Sequence, residues 1–142
     1  MNPTRILFKT LLITLFLCTS IFAKNSFFQE AEKLFKEKKY LQSKFKFEKD
    51  IVFNPKSEQS YLYLSKIFNK QDKKSLEEKN LNTVVLLNPK NEEAIYNLAR
   101  LKLTSSDYKK SKELNQKLRS ICNEFCSKSD ELKIEIENLS KQ

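Results

Sequence analysis

Two identical Asn-Pro-Lys triplets lie 34 residues apart in this chain, one beginning at Asn54 and the other at Asn88. Similar residues recur at the same interval elsewhere: Phe27, Tyr61 and Ile95; Ala31, Ser65 and Ala99; Phe53, Leu87 and Ile121. A period of this length is typical of arrays in which one supersecondary unit is repeated and each copy stacks on its neighbours. The period therefore constrains the fold more strongly than any other feature of the sequence.

The residues between the triplets predict pairs of helices. Apolar residues recur at spacings of three and four, as Ile95 and Ala99 do, which forms one face of a helix. Short polar segments that predict turns separate these runs at residues 36–39, 69–74 and 104–107. Each Asn-Pro step predicts a helix end, because the residue before proline avoids the helical region. Asn91, followed by Glu92 and Glu93, predicts a helix cap.

With this period and these helices, the chain resembles the tetratricopeptide repeat family over about residues 24–125. The resemblance implies an all-α fold, an α-solenoid of three helical hairpins at residues 24–57, 58–91 and 92–125. Several small residues match positions at which helices of this family approach closely: Ala31, Ser43, Ser65, Ala99 and Ser111.

The chain departs from the family pattern at several positions. Glu77 occupies a site that is usually small, and Asn115 one that is usually large and apolar. Lys38, Asp72 and Ser106 stand where the family often has glycine. Because left-handed backbone geometry costs an L-residue about 1–2 kcal/mol, we expect the turns to adjust around these three residues.

Beyond the third hairpin, residues 127–139 predict one more helix, with Leu132, Ile136 and Leu139 on one stripe. A repeat array needs an end helix with one apolar and one polar face, since its last hairpin otherwise exposes its core to water. We therefore predict a C-terminal capping helix and tail over residues 127–142. A dimerisation helix is the alternative.

Residues 1–23 have the layout of a secretory signal peptide: Arg5 and Lys9 precede an almost wholly apolar stretch that ends at Ala23. An uncleaved membrane anchor is the alternative, although the apolar run after Lys9 is about 14 residues long and a bilayer-spanning helix needs roughly 20. Lipoprotein processing at Cys18 is a third interpretation, but a bulky residue precedes Cys18 where a lipidation site has a small one. We expect export to the bacterial cell envelope or periplasm, with an inner-membrane anchor as the alternative.

The formal net charge of +9 is spread over lysines that alternate with glutamates. This pattern is typical of a solvated helix surface, so we expect no nucleic-acid partner. The chain contains no histidine and no glycine, and so lacks the usual general base near neutral pH and the residue that phosphate-binding loops require. We expect a non-enzymatic protein that needs no cofactor and no metal.

Cys122 and Cys126 are the only cysteines that remain once residues 1–23 are removed. In an oxidising compartment they predict a disulfide. Two cysteines four residues apart lie near the limit of bridgeable distance on a regular helix, so the bond requires the helix to break near Asn123. A pair of small buried thiols is the alternative.

The resemblance implies a concave face lined by the first helices of successive hairpins. It places there eight candidate partner-binding residues: Phe28, Leu62, Lys66, Asn69, Lys70, Tyr96, Asn97 and Arg100. Aromatic anchors surrounded by cations suit a peptide that is partly apolar and carries acidic residues. The family's clamp for the C-terminal carboxylate of chaperones is absent, because other residues stand at its five positions: Phe28, Glu32, Tyr63, Glu93 and Asn97.

The sequence therefore predicts a protein–protein interaction scaffold or adaptor that binds a peptide segment of a partner. The alternative is a self-associating structural protein of the envelope whose arrays stack end to end.

Overall fold

The computed structural model describes residues 27–141. Within that range the chain forms seven helices and no strand: α1 at residues 27–36, α2 at Tyr40–Phe53, α3 at Glu58–Lys70, α4 at Lys74–Leu87, α5 at Glu92–Thr104, α6 at Tyr108–Ile121 and α7 at Cys126–Leu139. The predicted all-α fold of helical hairpins is confirmed. The signal peptide and its two alternatives fall on residues 1–23, which lie outside the described residues.

The described chain falls into two compact units, the first ending at Ser57 and the second beginning at Glu58. The first unit is the hairpin of α1 and α2. Its helices approach closely at a small-residue contact, where the Ser43 hydroxyl donates to the carbonyl of Ala31 at 2.9 Å. Phe47 is fully buried in this hairpin, beside Phe28. A serine at this position serves the fold because it is small and its buried hydroxyl still finds an acceptor.

The second unit contains α3 to α7 around one apolar core: Leu62, Leu81, Val84, Ala94, Ile95, Leu98, Ala99, Leu101, Leu103, Leu114, Leu118, Leu132 and Ile136. The small-residue contact recurs two periods after the first one, where the Ser111 hydroxyl donates to the carbonyl of Ala99 at 2.8 Å. The predicted helix cap is also confirmed, since the Asn91 side chain accepts from the backbone N–H of Ala94 at 2.8 Å.

The C-terminal helix α7 covers the end of this core. Leu132 and Ile136, two residues of the predicted stripe, are buried in it. Asn115 of α6, the polar residue at a usually apolar position, is buried against this helix. It donates to the carbonyl of Ser129 at 2.9 Å and accepts from the Ser129 hydroxyl at 2.7 Å. A buried polar pair thus replaces the apolar contact that a further repeat would make, and it fixes the register of the capping helix.

The turns between paired helices keep left-handed geometry. Lys38, Asp72 and Ser106 have φ values of 60°, 52° and 59°, so the expectation that these turns adjust is wrong. In the first turn the N–H of Lys38 bonds to Phe35 and that of Lys39 to Leu34, both at 2.9 Å. The other two turns repeat this pattern one and two periods later. Such paired bonds satisfy the last carbonyls of a helix, and they require a left-handed residue at this position.

Glu77 stands at the repeat position that Ser43 and Ser111 occupy in the first and third hairpins. It is buried, and its two carboxylate oxygens accept from the Asn69 amide at 3.0 and 3.2 Å. Burial raises the pKa of this carboxyl above its usual value of 4.5, and the hydrogen bond from Asn69 offsets only part of that rise. The second hairpin therefore carries an ionisable group where its neighbours carry a hydroxyl.

Replacing Lys38 by glycine should stabilise the chain. Glycine removes the steric cost of the left-handed residue, about 1–2 kcal/mol. It also raises the conformational entropy of the unfolded chain, which offsets part of this gain. We therefore expect a net increase of about 1 kcal/mol in the unfolding free energy. Urea denaturation measures it. Lys38→Ala is the matched control, because alanine keeps the Cβ atom and should give little gain. Equal gains in both variants would show that the lysine side chain, not the backbone, is responsible.

Replacing Glu77 by glutamine should stabilise the chain at neutral pH. Because the folded-state pKa is above the unfolded value, the wild-type chain loses stability as the pH rises from about 4.5 through the raised pKa. Glutamine keeps an acceptor for Asn69 and cannot ionise, so its advantage should be larger at pH 7 than at pH 4. Urea denaturation at both pH values gives the comparison. The same advantage at the two pH values would contradict an electrostatic cause.

Candidate functional site

The eight predicted partner-binding residues are divided between the two units. Phe28 lies on α1 in the first unit, where it is half-buried and its ring centroid is 5.7 Å from that of Phe47. The other seven lie on α3 and α5 in the second unit. Leu62 is only 6% exposed and packs in the core of that unit. Leu62 is therefore a core residue and not a surface contact, because the side of α3 on which it lies faces the neighbouring helices.

Tyr96 is half-buried on α5 and packs against an aromatic residue that the sequence analysis missed. Its ring centroid lies 5.6 Å from that of Phe125, and the Lys128 ammonium lies 4.1 Å from the centroid of the Phe125 ring and 5.7 Å from that of Tyr96. A cation over two aromatic faces is an attractive arrangement. Phe125 could have been noticed as an aromatic side chain next to Cys126, but its contact with Tyr96 spans 29 residues of sequence.

Two of the three candidate cations, Lys66 and Arg100, are paired within the chain. Lys66 of α3 contacts Glu93 of α5 at 2.7 Å, and Arg100 of α5 contacts Glu135 of α7 at 2.7 Å. The pairs link the successive first helices of the second unit to one another and to the capping helix. All four side chains are partly exposed, so each pair contributes only about 0–1 kcal/mol and its members can exchange partners.

The remaining polar candidates lie on the same two helices. Asn69 and Lys70 are exposed at the end of α3, and the Asn69 amide is bonded to Glu77. Asn97 is half-buried on α5. On α5, Tyr96 and Asn97 precede Arg100 by four and three residues, so each of them neighbours Arg100 on the helix surface. Together with Lys66, Asn69 and Lys70 of α3 they form what we term the α3–α5 surface.

In the second unit, a glutamate at the start of α3 and another at the start of α5 each bind the loop that lies one period further along the chain. The Glu92 carboxylate accepts from the backbone N–H groups of Asn123, Glu124 and Phe125 at 2.8, 3.0 and 2.9 Å. One period earlier, the Glu58 carboxylate accepts from the side-chain amide of Asn88 at 3.0 Å and from that of Asn91. The Glu92 contacts fix the loop that carries Phe125, and Phe125 packs on Tyr96.

The loop between α6 and α7 is also closed covalently. Cys122 and Cys126 are joined by a disulfide, with their α carbons 5.3 Å apart. Residues 122–125 are not helical, which provides the break in the helix that the spacing requires. The disulfide and Glu92 thus hold the same short segment beside Tyr96.

Within residues 27–141, no group of three or more His, Cys, Asp or Glu side chains is arranged to hold a metal ion. None of the helices described is long and apolar enough to cross a membrane.

No protein-family model matches the chain, and no curated protein matches its sequence. Solved structures match its fold. The TPR2B domain of yeast Sti1, in a complex with pHsp70, gives a TM-score of 0.75 at 12% identity over 82% of this chain and 97% of that chain. The chain has the fold of a tetratricopeptide repeat domain.

Two further structures support the same fold. The type III secretion chaperone SycD of Yersinia enterocolitica, in complex with a peptide of the translocator YopD, gives a TM-score of 0.73 at 13% identity and covers 83% of this chain and 94% of that chain. The first TPR domain of Spaghetti (RPAP3), bound to the HSP90 peptide SRMEEVD, gives 0.71 at 16% identity and covers 82% and 93%. The predicted tetratricopeptide-like hairpins are therefore confirmed.

Replacing Glu92 by glutamine should lower the melting temperature at pH 7. The N–H of Phe125, with those of Asn123 and Glu124, lowers the pKa of the Glu92 carboxyl below its usual value of 4.5. A carboxyl whose pKa is lower in the folded state than in the unfolded state stabilises the fold at pH values above its unfolded-state pKa. This stabilisation is lost as the pH falls through the folded-state pKa. The difference between wild type and Glu92→Gln should therefore shrink as the pH falls from 7 to below about 4.

Thermal melts across that range measure the difference. Glu124→Gln, which neutralises an exposed acid in the same loop, is the matched control and should leave the melting temperature nearly unchanged. If the two variants melt alike at pH 7, the Glu92 contacts do not stabilise the loop.

Proposed function

We propose that this chain is a non-enzymatic protein-interaction scaffold of the bacterial cell envelope, and that it binds a peptide segment of a partner on its α3–α5 surface. The observation that carries the proposal is the tetratricopeptide fold, which it shares with domains of Sti1, SycD and RPAP3 whose structures contain bound peptides or, for Sti1, a pHsp70 complex. At 12–16% identity these likenesses concern the fold. The chemistry of the ligand depends on the residues of this chain.

The α3–α5 surface combines one aromatic anchor with exchangeable charges. Tyr96 offers a half-buried ring, the type of side chain on which binding energy concentrates. Lys66 and Arg100 of the same surface are paired with Glu93 and Glu135. Acidic groups of a peptide can replace these two glutamates at little cost, because exposed ion pairs are weak. The surface therefore suits a partly apolar peptide that carries acidic residues.

The positions that match the chaperone-tail clamp argue against that particular ligand. Lys66 lies 5.1 Å above the ring of Tyr63 and 2.7 Å from the carboxylate of Glu93, so both residues already engage it. None of the five clamp positions carries a cationic side chain that could hold a terminal carboxylate. The peptide SRMEEVD, which the RPAP3 domain holds in its structure, should not bind here, and it serves as a negative control.

Residues 1–23 support the envelope location. Their charged, apolar and small-residue regions follow the order of a secretory signal, so cleavage after Ala23 is the proposal and an inner-membrane anchor the alternative. An exported scaffold would also meet the oxidising conditions in which the disulfide between Cys122 and Cys126 persists.

The experiment begins with crosslinking and mass spectrometry in intact cells, which identifies the partner segment; the same spectra show whether the chain begins at Lys24. A synthetic peptide of that segment is then titrated against purified variants. Tyr96→Ala should weaken binding by about 2 kcal/mol, or roughly 30-fold. Because Tyr96 also packs on Phe125, circular dichroism must first show that this variant is folded.

Lys66→Glu combined with Arg100→Glu should slow association and reduce its dependence on salt. The matched controls are Lys79→Glu and Lys112→Glu, which reverse exposed charges on the second helices α4 and α6. If these controls abolish binding while the Tyr96 and Arg100 variants bind normally, the site lies elsewhere on the chain.

A further inference from the structure

The first hairpin exposes apolar side chains at positions where the later hairpins are mostly polar. On α2, Leu41, Phe45 and Val52 are 77%, 55% and 74% exposed. Their spacings of four and eleven residues place them on one side of the helix. The matching positions are Ser75, Lys79 and Leu86 on α4, and Lys109, Glu113 and Ser120 on α6. The apolar stripe is therefore a property of the first hairpin and not of the repeat.

The stripe borders a cleft of about 490 Å³ between α1 and α2. Leu34, Leu41 and Phe45 give the cleft its apolar lining. Two ion pairs stand on its rim, Lys46 with Glu30 at 2.7 Å and Lys44 with Glu48 at 2.8 Å. Val52, the cleft and its rim together form what we term the α1–α2 patch.

We propose that the α1–α2 patch binds a second copy of this chain in a twofold-symmetric dimer. A twofold interface uses the same surface on both partners, so that surface must be complementary to itself. The rim of the patch meets this requirement, because each copy brings two lysines and two glutamates that can pair across the axis. A strongly acidic or strongly basic partner would match only half of these charges.

The size of the patch sets the strength of the dimer. An aromatic side chain buries about 150–250 Å², so the three partly exposed apolar residues supply on the order of 400 Å² per copy. A stable interface of standard size needs about 800 Å² per partner, so the apolar residues supply about half of that area, and the exposed charges of the rim add little binding energy. The dimer is therefore weak, and its population rises with protein concentration.

The sign of the salt effect distinguishes this dimer from other occupants of the patch. The whole chain has a formal net charge of +9, so two copies repel each other at long range. Salt screens that repulsion and should strengthen the dimer, whereas it should weaken the attachment of a basic surface to an anionic membrane. The patch lies in the first unit and the α3–α5 surface in the second, so this inference and the proposed function can fail separately.

The test is sedimentation velocity on the chain as isolated from cells, in the processed form that its intact mass defines, from about 2 to about 200 µM and at low and high salt. The wild-type mass should rise toward that of a dimer, and more so at high salt. Combining Leu41→Lys with Phe45→Glu introduces the residues found at the same repeat positions of α6. This variant should raise the dimer dissociation constant by roughly 30-fold or more, with an unchanged circular dichroism spectrum.

The matched control is Leu86→Ser, which removes an apolar side chain that is 81% exposed on α4. It should dimerise as the wild type does. A wild-type chain that stays monomeric at the highest concentration in both salts overturns the proposal, and so does a double variant that dimerises normally. Phosphatidylglycerol vesicles give a third readout: wild-type binding that is weakened by salt and lost in the double variant would identify a membrane-facing patch instead.

Discussion

The close approach of the two helices in each hairpin is the constraint on which the rest of the structure depends. In the first and third hairpins a serine hydroxyl, Ser43 or Ser111, donates to the carbonyl of a small residue on the opposite helix. The second hairpin places Glu77 at the same position, and this side chain stays buried by bonding to Asn69. The fold thus tolerates a larger, ionisable group there, but its stability becomes dependent on pH.

Contacts of α5 with α7 and with the loop before it connect this scaffold to the candidate binding surface. Glu92 and the disulfide hold the loop before α7, and the loop in turn holds Phe125 against Tyr96. The ion pair of Arg100 with Glu135 connects α5, the helix that carries Tyr96, to the capping helix α7. Loosening the loop should therefore alter the position of the aromatic anchor as well as the stability of the unit.

The two proposed surfaces differ in physical character. The α3–α5 surface offers one aromatic ring among charges that are already paired and can be exchanged for those of a peptide. The α1–α2 patch offers exposed apolar side chains, whose contribution grows with the area removed from water. The first is suited to recognising charge and the second to association between copies.

The sequence by itself determined the hairpins, because a 34-residue period and spacings of three and four are local properties of the chain. It also determined the capping helix, through Leu132 and Ile136. Only the tertiary structure decided that Leu62 is buried, and that Lys66 and Arg100 are paired with acids 27 and 35 residues away. It likewise decided the left-handed turns, where the bonds that close a helix end outweigh the steric cost of a side chain. The burial of Leu62 and the two ion pairs depend on distances between helices, which no local pattern encodes.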